Sequence, residues 1–204
     1  MSTIRQMIKE RIDSYPTGRV FMSSDFTDIA DVNTVWQNLA RLENKKMISR
    51  ITRGTYYKPV FSSLIEEFEA PSIPEVAQAL ANNYHWTIAP SGSTALNHLG
   101  LSTQVPAKWT YISDGPYRKY NIGGQTLEFK HRSNREISGL SEKSAMIVQA
   151  IRAIGEGKLT EQDMQRIRDA LTDDEKRRLL EETQQAAAWI YRYIKTICSG
   201  VIDV

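Results

Sequence analysis

Between residues 33 and 58 the apolar side chains change period, and that change restricts what the chain can build. Val35, Leu39 and Leu42 recur at helical spacing. "MISRI" and "TYYKPV" then alternate in strand fashion about "TRG", where Gly54 supplies the positive φ that a hairpin tip needs. The preceding residues complete the unit. "TIRQMIKERIDSY" reads as a first helix, with Ile4, Ile8 and Ile12 as its stripe, Met7 and Tyr15 widening it, and Pro16 with Gly18 ending it. Val20 to Met22 is a short apolar run, and Ser23 and Ser24 cap a short second helix over "DFTDIA", with Asp25 near its positive end. Helix, short strand, helix, helix and hairpin is the order of a winged helix-turn-helix, expected over residues 1–60.

The third helix is expected from an N-cap at Asn33 to about Lys46. At 100° per residue, Val35, Leu39, Leu42 and the stem of Lys46 fall on one side. Thr34, Gln37, Asn38, Arg41 and Lys45 fall on the other. Gln and Asn pair bidentately with adenine and Arg with guanine, so this face carries side chains that read a major groove. Arg50, Arg53 and Lys58 on the hairpin then sit beside backbone phosphates. Any solvated helix face is polar, and some winged helices bind only protein; DNA binding is favoured because topology, charge and face agree.

Charge is segregated along the 204 residues, whose formal net value is only +2. Residues 1–60 hold ten Lys or Arg against six Asp or Glu, and residues 61–107 none against four. Residues 108–135 hold six against two, and residues 136–204 ten against twelve. Local positive fields of this kind attract phosphate. The single Cys198 excludes a disulfide framework and a Cys-based zinc site, which fits a reducing cytoplasm. No stretch approaches the ~20 apolar residues of a membrane helix.

The expected fold class is α+β. Residues 61–74 are acidic and read as a connector ending in "APSIP", and residues 75–204 as an α+β domain with a helical C-terminus. That domain opens with a helix over "IPEVAQALANNYHW", using Val76, Ala79, Leu80 and Tyr84, then a short helix capped by Ser93 and closed by Gly100. "WTYIS", "YRKYNI" and "QTLEFKH" read as a three-stranded antiparallel meander, turning at "DGP" and "GG". Ser141 opens a helix through Ile154, and Thr160 with Asp163 opens another. Thr172 with Glu175 forms a capping box for a long last helix striped by Leu179, Ala186, Ile190, Ile194 and Ile197 and stopped at Ser199-Gly200.

Few residues invite catalysis. His85, His98 and His131 lie far apart without metal-ligand spacing, "PSGSTAL" lacks the Lys of a phosphate loop, and Cys198 follows apolar helical residues as a buried thiol does. The alternative worth weighing is Asp114 with Glu128 and Lys130, an arrangement similar to PD-(D/E)xK nucleases, in which two carboxylates bind Mg²⁺ and a Lys orients water. Asp before Gly-Pro is also a common turn residue. The expectation is no catalytic residue, no metal and no cofactor. Lys108, Arg118, Lys119, Lys130 and Arg132 form a candidate second basic surface. Trp109, Tyr111, Tyr117 and Tyr120 between them either stack on bases or, as alternating strand aromatics more often do, fill a core.

With "ISRITRGTYYKP", "IAPSGSTALNHLGLSTQVP" and "TYISDGPYRKYNIGGQTLEFKHR" in this order, the chain resembles AbiEi-type antitoxins. It is more closely similar to a DUF6088-like branch of transcriptional regulators of type IV toxin-antitoxin systems. The resemblance spans residues 5 to 155, and the last 45 residues match no shared motif. It implies a cytoplasmic antitoxin and repressor of a phage-defence operon, without enzymatic activity. Its partners would be inverted repeats in double-stranded promoter DNA and a cognate nucleotidyltransferase toxin, opposed functionally, with direct contact left open. The residues carried over are Thr34, Gln37, Asn38 and Arg41 of the helix and Arg50, Arg53 and Lys58 of the wing.

Overall fold

Thr3 accepts a hydrogen bond from the Gln6 amide and starts helix α1, Ile4–Ser14. The computed structural model describes residues 3–62, 67–69, 71–132 and 139–199. They form two units, Met1–His85 with Tyr120–Gly124, and Trp86–Lys119 with Gln125–Val204.

In the first unit α1 is followed by strand β1 (Val20–Met22), a 3₁₀ turn (Ser23–Phe26), helix α2 (Val32–Asn44) and strands β2 (Ser49–Thr52) and β3 (Thr55–Tyr57). The sheet order is β1-β3-β2, with both pairings antiparallel. Ile8 and Ile12 of α1, Phe21 and Phe26, Val35, Leu39 and Leu42 of α2, and Ile48 and Tyr56 share one core. Burying each large side chain of this kind contributes on the order of 1.5–3 kcal/mol. Gly54 takes φ 78° at the β2–β3 turn, as its place in "TRG" predicts. Arg11 clamps the chain after the 3₁₀ turn, donating to both carboxylate oxygens of Asp28 at 2.7 Å and to the Asp25 carbonyl at 2.7 Å.

Several local expectations fail here. Ile4 and Met7 are each 42% exposed, so the α1 stripe is narrower than its letters suggest. The second helix is a single 3₁₀ turn, because Asp25 turns back to accept from the Met22 amide at 2.9 Å. The N-cap of α2 is Asp31, which accepts from the Asn33 and Thr34 amides, and Asn33 lies inside the helix. Lys46 follows the end of α2 with φ 57° and is exposed, so its stem does not join the packed side.

The stretch expected as connector, residues 61–74, contains paired strands: β4 (Val60–Ser62) and β5 (Glu67–Glu69) are antiparallel. Helix α3 (Ile73–Tyr84), capped by Ser72, groups with the first unit rather than opening the second. It buries Ile73, Val76, Ala77, Leu80 and Ala81, while Tyr84 is 49% exposed.

The second unit is mixed α+β. Strands β6 (Ile88–Pro90), β7 (Lys108–Ser113), β8 (Arg118–Ile122), of which Tyr120–Ile122 group with the first unit, and β9 (Gln125–His131) have the sheet order β6-β7-β9-β8. The expected antiparallel meander is therefore wrong in one pairing: β7 runs parallel to β9, from Lys108 opposite Thr126 to Ser113 opposite His131. The turn after β7 is fixed by local contacts. Gly115 donates to the Ser113 hydroxyl at 3.0 Å, its carbonyl lies 2.9 Å from His131 Nδ1, and Trp86 packs where a Gly115 Cβ would stand.

Helix α4 (Ser93–His98) starts after Gly92, with Ser93 inside the helix rather than capping it. Helices α5 (Glu142–Ile154) and α6 (Glu161–Asp169) begin at Ser141 and Thr160 as expected, with the Thr160–Asp163 box formed. The Thr172–Glu175 box also forms, but the long last helix is two: α7 (Asp173–Glu182) and α8 (Ala188–Ile197). Between them the Thr183 hydroxyl bonds back to the Leu179 carbonyl and Ala187 is extended. Leu179, Ile190, Ile194 and Ile197 all reach the core, with Ala186 partly buried against it. Among the described residues no helix is long and apolar enough to cross a membrane.

Candidate nucleic-acid interface

Helix α2 buries Val35, Asn38, Leu39 and Leu42, and this set fixes which face looks outward. Val32, Asn33, Trp36, Gln37, Ala40, Arg41, Asn44 and Lys45 are exposed. On a 100° wheel the centre of that outward face is rotated by roughly 85° from the face expected from sequence, toward Trp36. Two expected residues drop out. Asn38 is only 6% exposed and its amide donates to the Thr34 carbonyl at 2.8 Å. Thr34 spends its hydroxyl on Asp31 Oδ2 at 2.6 Å, stabilising the helix start. Hydrogen bonding also holds the Asp31 carboxyl below the usual range, from the Thr34 hydroxyl first and the Thr34 and Asn33 amides after it.

Gln37, Arg41 and Lys45 stay outward and in reach of a ligand. Beside them the β2–β3 hairpin exposes Arg50 and Arg53. Arg50 Nε donates to the Thr52 carbonyl at 3.3 Å, which holds its side chain along the strand. Lys58 is placed elsewhere: its ammonium donates to the carbonyls of Asp13 and Tyr15, both at 2.8 Å, and closes the C-terminal end of α1. That capping engagement replaces the phosphate contact expected of it.

Trp36 is the residue the sequence reading passed over. It is 40% exposed, and the Arg53 guanidinium lies over its ring at 5.6 Å. Together with Ala40, Glu43, Arg50, Gly54 and Tyr56 they line a concavity of about 190 Å³ between α2 and the hairpin. The signal was available: positions 33, 36, 37, 40 and 44 share the arc opposite Val35, Leu39 and Leu42.

The second basic block is less uniform than its charge count. Lys108 pairs with Glu128 Oε2 at 2.5 Å and Lys130 lies 3.9 Å from the same atom. The Tyr117 hydroxyl donates to Glu128 Oε1. Glu128 is 4% exposed, and burial alone would push its carboxyl up. The bonds from Lys108 and Tyr117 and the nearby Lys130 outweigh that and hold it below the usual carboxylate range. Arg118, Lys119 and Arg132 are exposed. Trp109 and Tyr111 are core residues at 8% and 4% exposure, whereas Tyr117 is 56% exposed.

The nuclease-like trio is not brought together. Thr110, not Asp114, stands opposite Glu128 in the β7–β9 register. Four further residues at about 3.3 Å each set Asp114 roughly 13 Å along the strand, too far for one cation. Asp114 instead accepts from the Thr87 amide at 2.8 Å. Among the histidines, His85 ends α3 at φ 55°, and His98 meets Trp109 and Tyr111 edge-on. Cys198 is buried, and its thiol is pushed up to about 11 by that burial.

These features define an α+β protein whose first unit sets an amide- and Arg-bearing helix face beside a basic hairpin. The chain belongs to a family of unknown function, DUF6088, whose sequence pattern matches residues 7–179. No curated protein matches it.

Proposed function

We propose that this protein is a sequence-specific double-stranded DNA-binding regulator whose first unit is a winged helix-turn-helix. The observation that carries the reading is one arrangement: Gln37 and Arg41 on the outward face of α2 and Lys45 at its C-terminal cap, next to Arg50 and Arg53 on the β2–β3 hairpin. The element order and the β1-β3-β2 sheet support it, with the 3₁₀ turn in the place of the second helix. In this reading α2 enters the major groove, Gln37 and Arg41 read base edges, and the hairpin is the wing that contacts phosphates. The outward α2 set is polar or basic except for Val32, Trp36 and Ala40, a composition suited to groove edges and phosphates.

The resemblance to AbiEi-type antitoxins extends the proposal. The protein is a cytoplasmic, non-enzymatic antitoxin of a type IV system that represses its own promoter at inverted repeats and opposes a nucleotidyltransferase toxin. The test is fluorescence anisotropy on the DNA upstream of its gene against a scrambled duplex. Replacing Gln37 and Arg41 with Ala is expected to cost about 1–3 kcal/mol per lost base contact and to relax sequence preference. Equal binding by wild type and the double variant would sink the helix assignment. Co-expression with a neighbouring nucleotidyltransferase tests the antitoxin part: growth arrest by the enzyme that this protein leaves unrelieved counts against it.

A further inference from the structure

The concavity between α2 and the hairpin differs from the rest of the outward surface in having an aromatic floor. Trp36 supplies that floor, Arg53 lies across it at 5.6 Å, and Arg50 stands on the adjoining strand. Ala40, one turn further along α2, and Gly54 at the hairpin tip complete the lining with small residues. We infer that this concavity is a seat for one deoxyribose-phosphate unit of the DNA backbone, with the sugar against the Trp36 ring and the phosphate held by Arg50 and Arg53.

The inference rests on the DNA-binding reading and makes Trp36 a positioning residue as well as a contact. A flexible Arg at a hairpin tip samples many rotamers, and fixing a long side chain costs rotamer entropy. The Trp36 face restricts Arg53 before any ligand arrives, because a guanidinium is attracted to the negative face of an aromatic ring. The volume is apt: about 190 Å³ accommodates one sugar with its phosphate at the open side, not a stacked base pair. Glu43 lies in the same lining. Its carboxylate disfavours a phosphate placed beside it, which leaves the phosphate to the Arg50 and Arg53 side of the concavity. Neither group offers base-specific hydrogen bonding, so this seat strengthens binding to every duplex alike.

The test uses the full chain, with anisotropy titrations on upstream and scrambled duplexes across a salt series, for wild type, Trp36→Ala, Trp36→Phe, Arg53→Ala and the Trp36→Ala/Arg53→Ala pair. Trp36→Ala is expected to weaken both duplexes by a similar factor, about two- to fivefold, the scale of an exposed cation–π contact. Trp36→Phe should keep most of the affinity, and the double variant should lose less than the product of the single losses. Wild-type affinity in Trp36→Ala with an unchanged melting temperature, a loss confined to the upstream sequence, or a fully multiplicative double variant overturns the seat while leaving the regulator reading intact. No binding of any duplex by wild type at low salt overturns both.

Discussion

Replacing Lys58 with Met separates two roles that the sequence alone cannot tell apart. The ammonium donates to the carbonyls of Asp13 and Tyr15 at 2.8 Å, satisfying acceptors that the end of α1 leaves unpaired. Bonds to charged groups contribute roughly 1.5–3 kcal/mol when well buried, and a cation at a helix C-terminus about 0.3–1 kcal/mol. Lys58 is half-buried and one of its bonds is solvent-exposed, so the lower end applies and the loss is about 1–2 kcal/mol. Met keeps the apolar stem, which isolates the charge and its bonds. For a chain of this size about 2–4 °C of melting temperature accompanies each kcal/mol, giving a drop of roughly 2–8 °C. Calorimetry measures that drop, and anisotropy on duplex DNA measures the salt slope in the same variant. An unchanged melting temperature with a slope reduced by about one unit would mean that Lys58 neutralises a phosphate, and the capping argument would be wrong.

Three further outcomes follow from the second unit. Gly115→Ala places a Cβ about 2.4 Å from the Trp86 indole, and overpacking of this kind costs roughly 1–3 kcal/mol; a wild-type urea midpoint would contradict the contact. Glu128 has a depressed folded-state pKa, so its stabilisation is present above the unfolded carboxyl value of about 4.3 and is lost as pH falls through the lower folded value. Glu128→Gln should therefore lower stability at neutral pH and flatten the acid limb of a melting-temperature profile from pH 7 to 2, and an unaltered limb would count against the pairing. Cys198, buried with its thiol pushed up to about 11, should resist a thiol reagent at pH 8 until the chain unfolds; fast reaction in the native state would refute its burial.

What the sequence revealed depended on the range of the interaction that fixes each element. The caps at Ser141, Thr160 and Thr172 are set by neighbours three residues away and were legible. So were the hairpin tip at Gly54 and the buried stripe of Val35, Leu39 and Leu42. The parallel pairing of β7 with β9 was not, because "DGP" reads as an ordinary hairpin turn and its path is fixed by distant partners, Trp86 and His131 around Gly115 and Thr87 against Asp114. The break after α7 was hidden for a similar reason, since "TQQAA" has no local objection to being helical.

At the candidate interface, the polar letters of α2 gave its character but not its orientation. Asn38 and Thr34 count as readers by composition, yet one is buried and the other bonded to Asp31. Lys58 is one more cation in a basic run until the end of α1 is seen beneath it. Trp36 carries no sign of a partner in its own stretch of sequence, and only the placement of Arg53 above it gives it a use.

The parallel partnership of β7 and β9 also sets a timetable for synthesis. β7 can pair with β6 as soon as Ser113 has emerged, but its other edge waits for Gln125–His131. At about 5–20 residues per second the ribosome leaves that edge open for on the order of a second or more. During that interval the nascent strand presents unpaired amides and carbonyls to any neighbouring chain. Slowing translation between these two strands should therefore raise aggregation without altering a single contact of the finished protein.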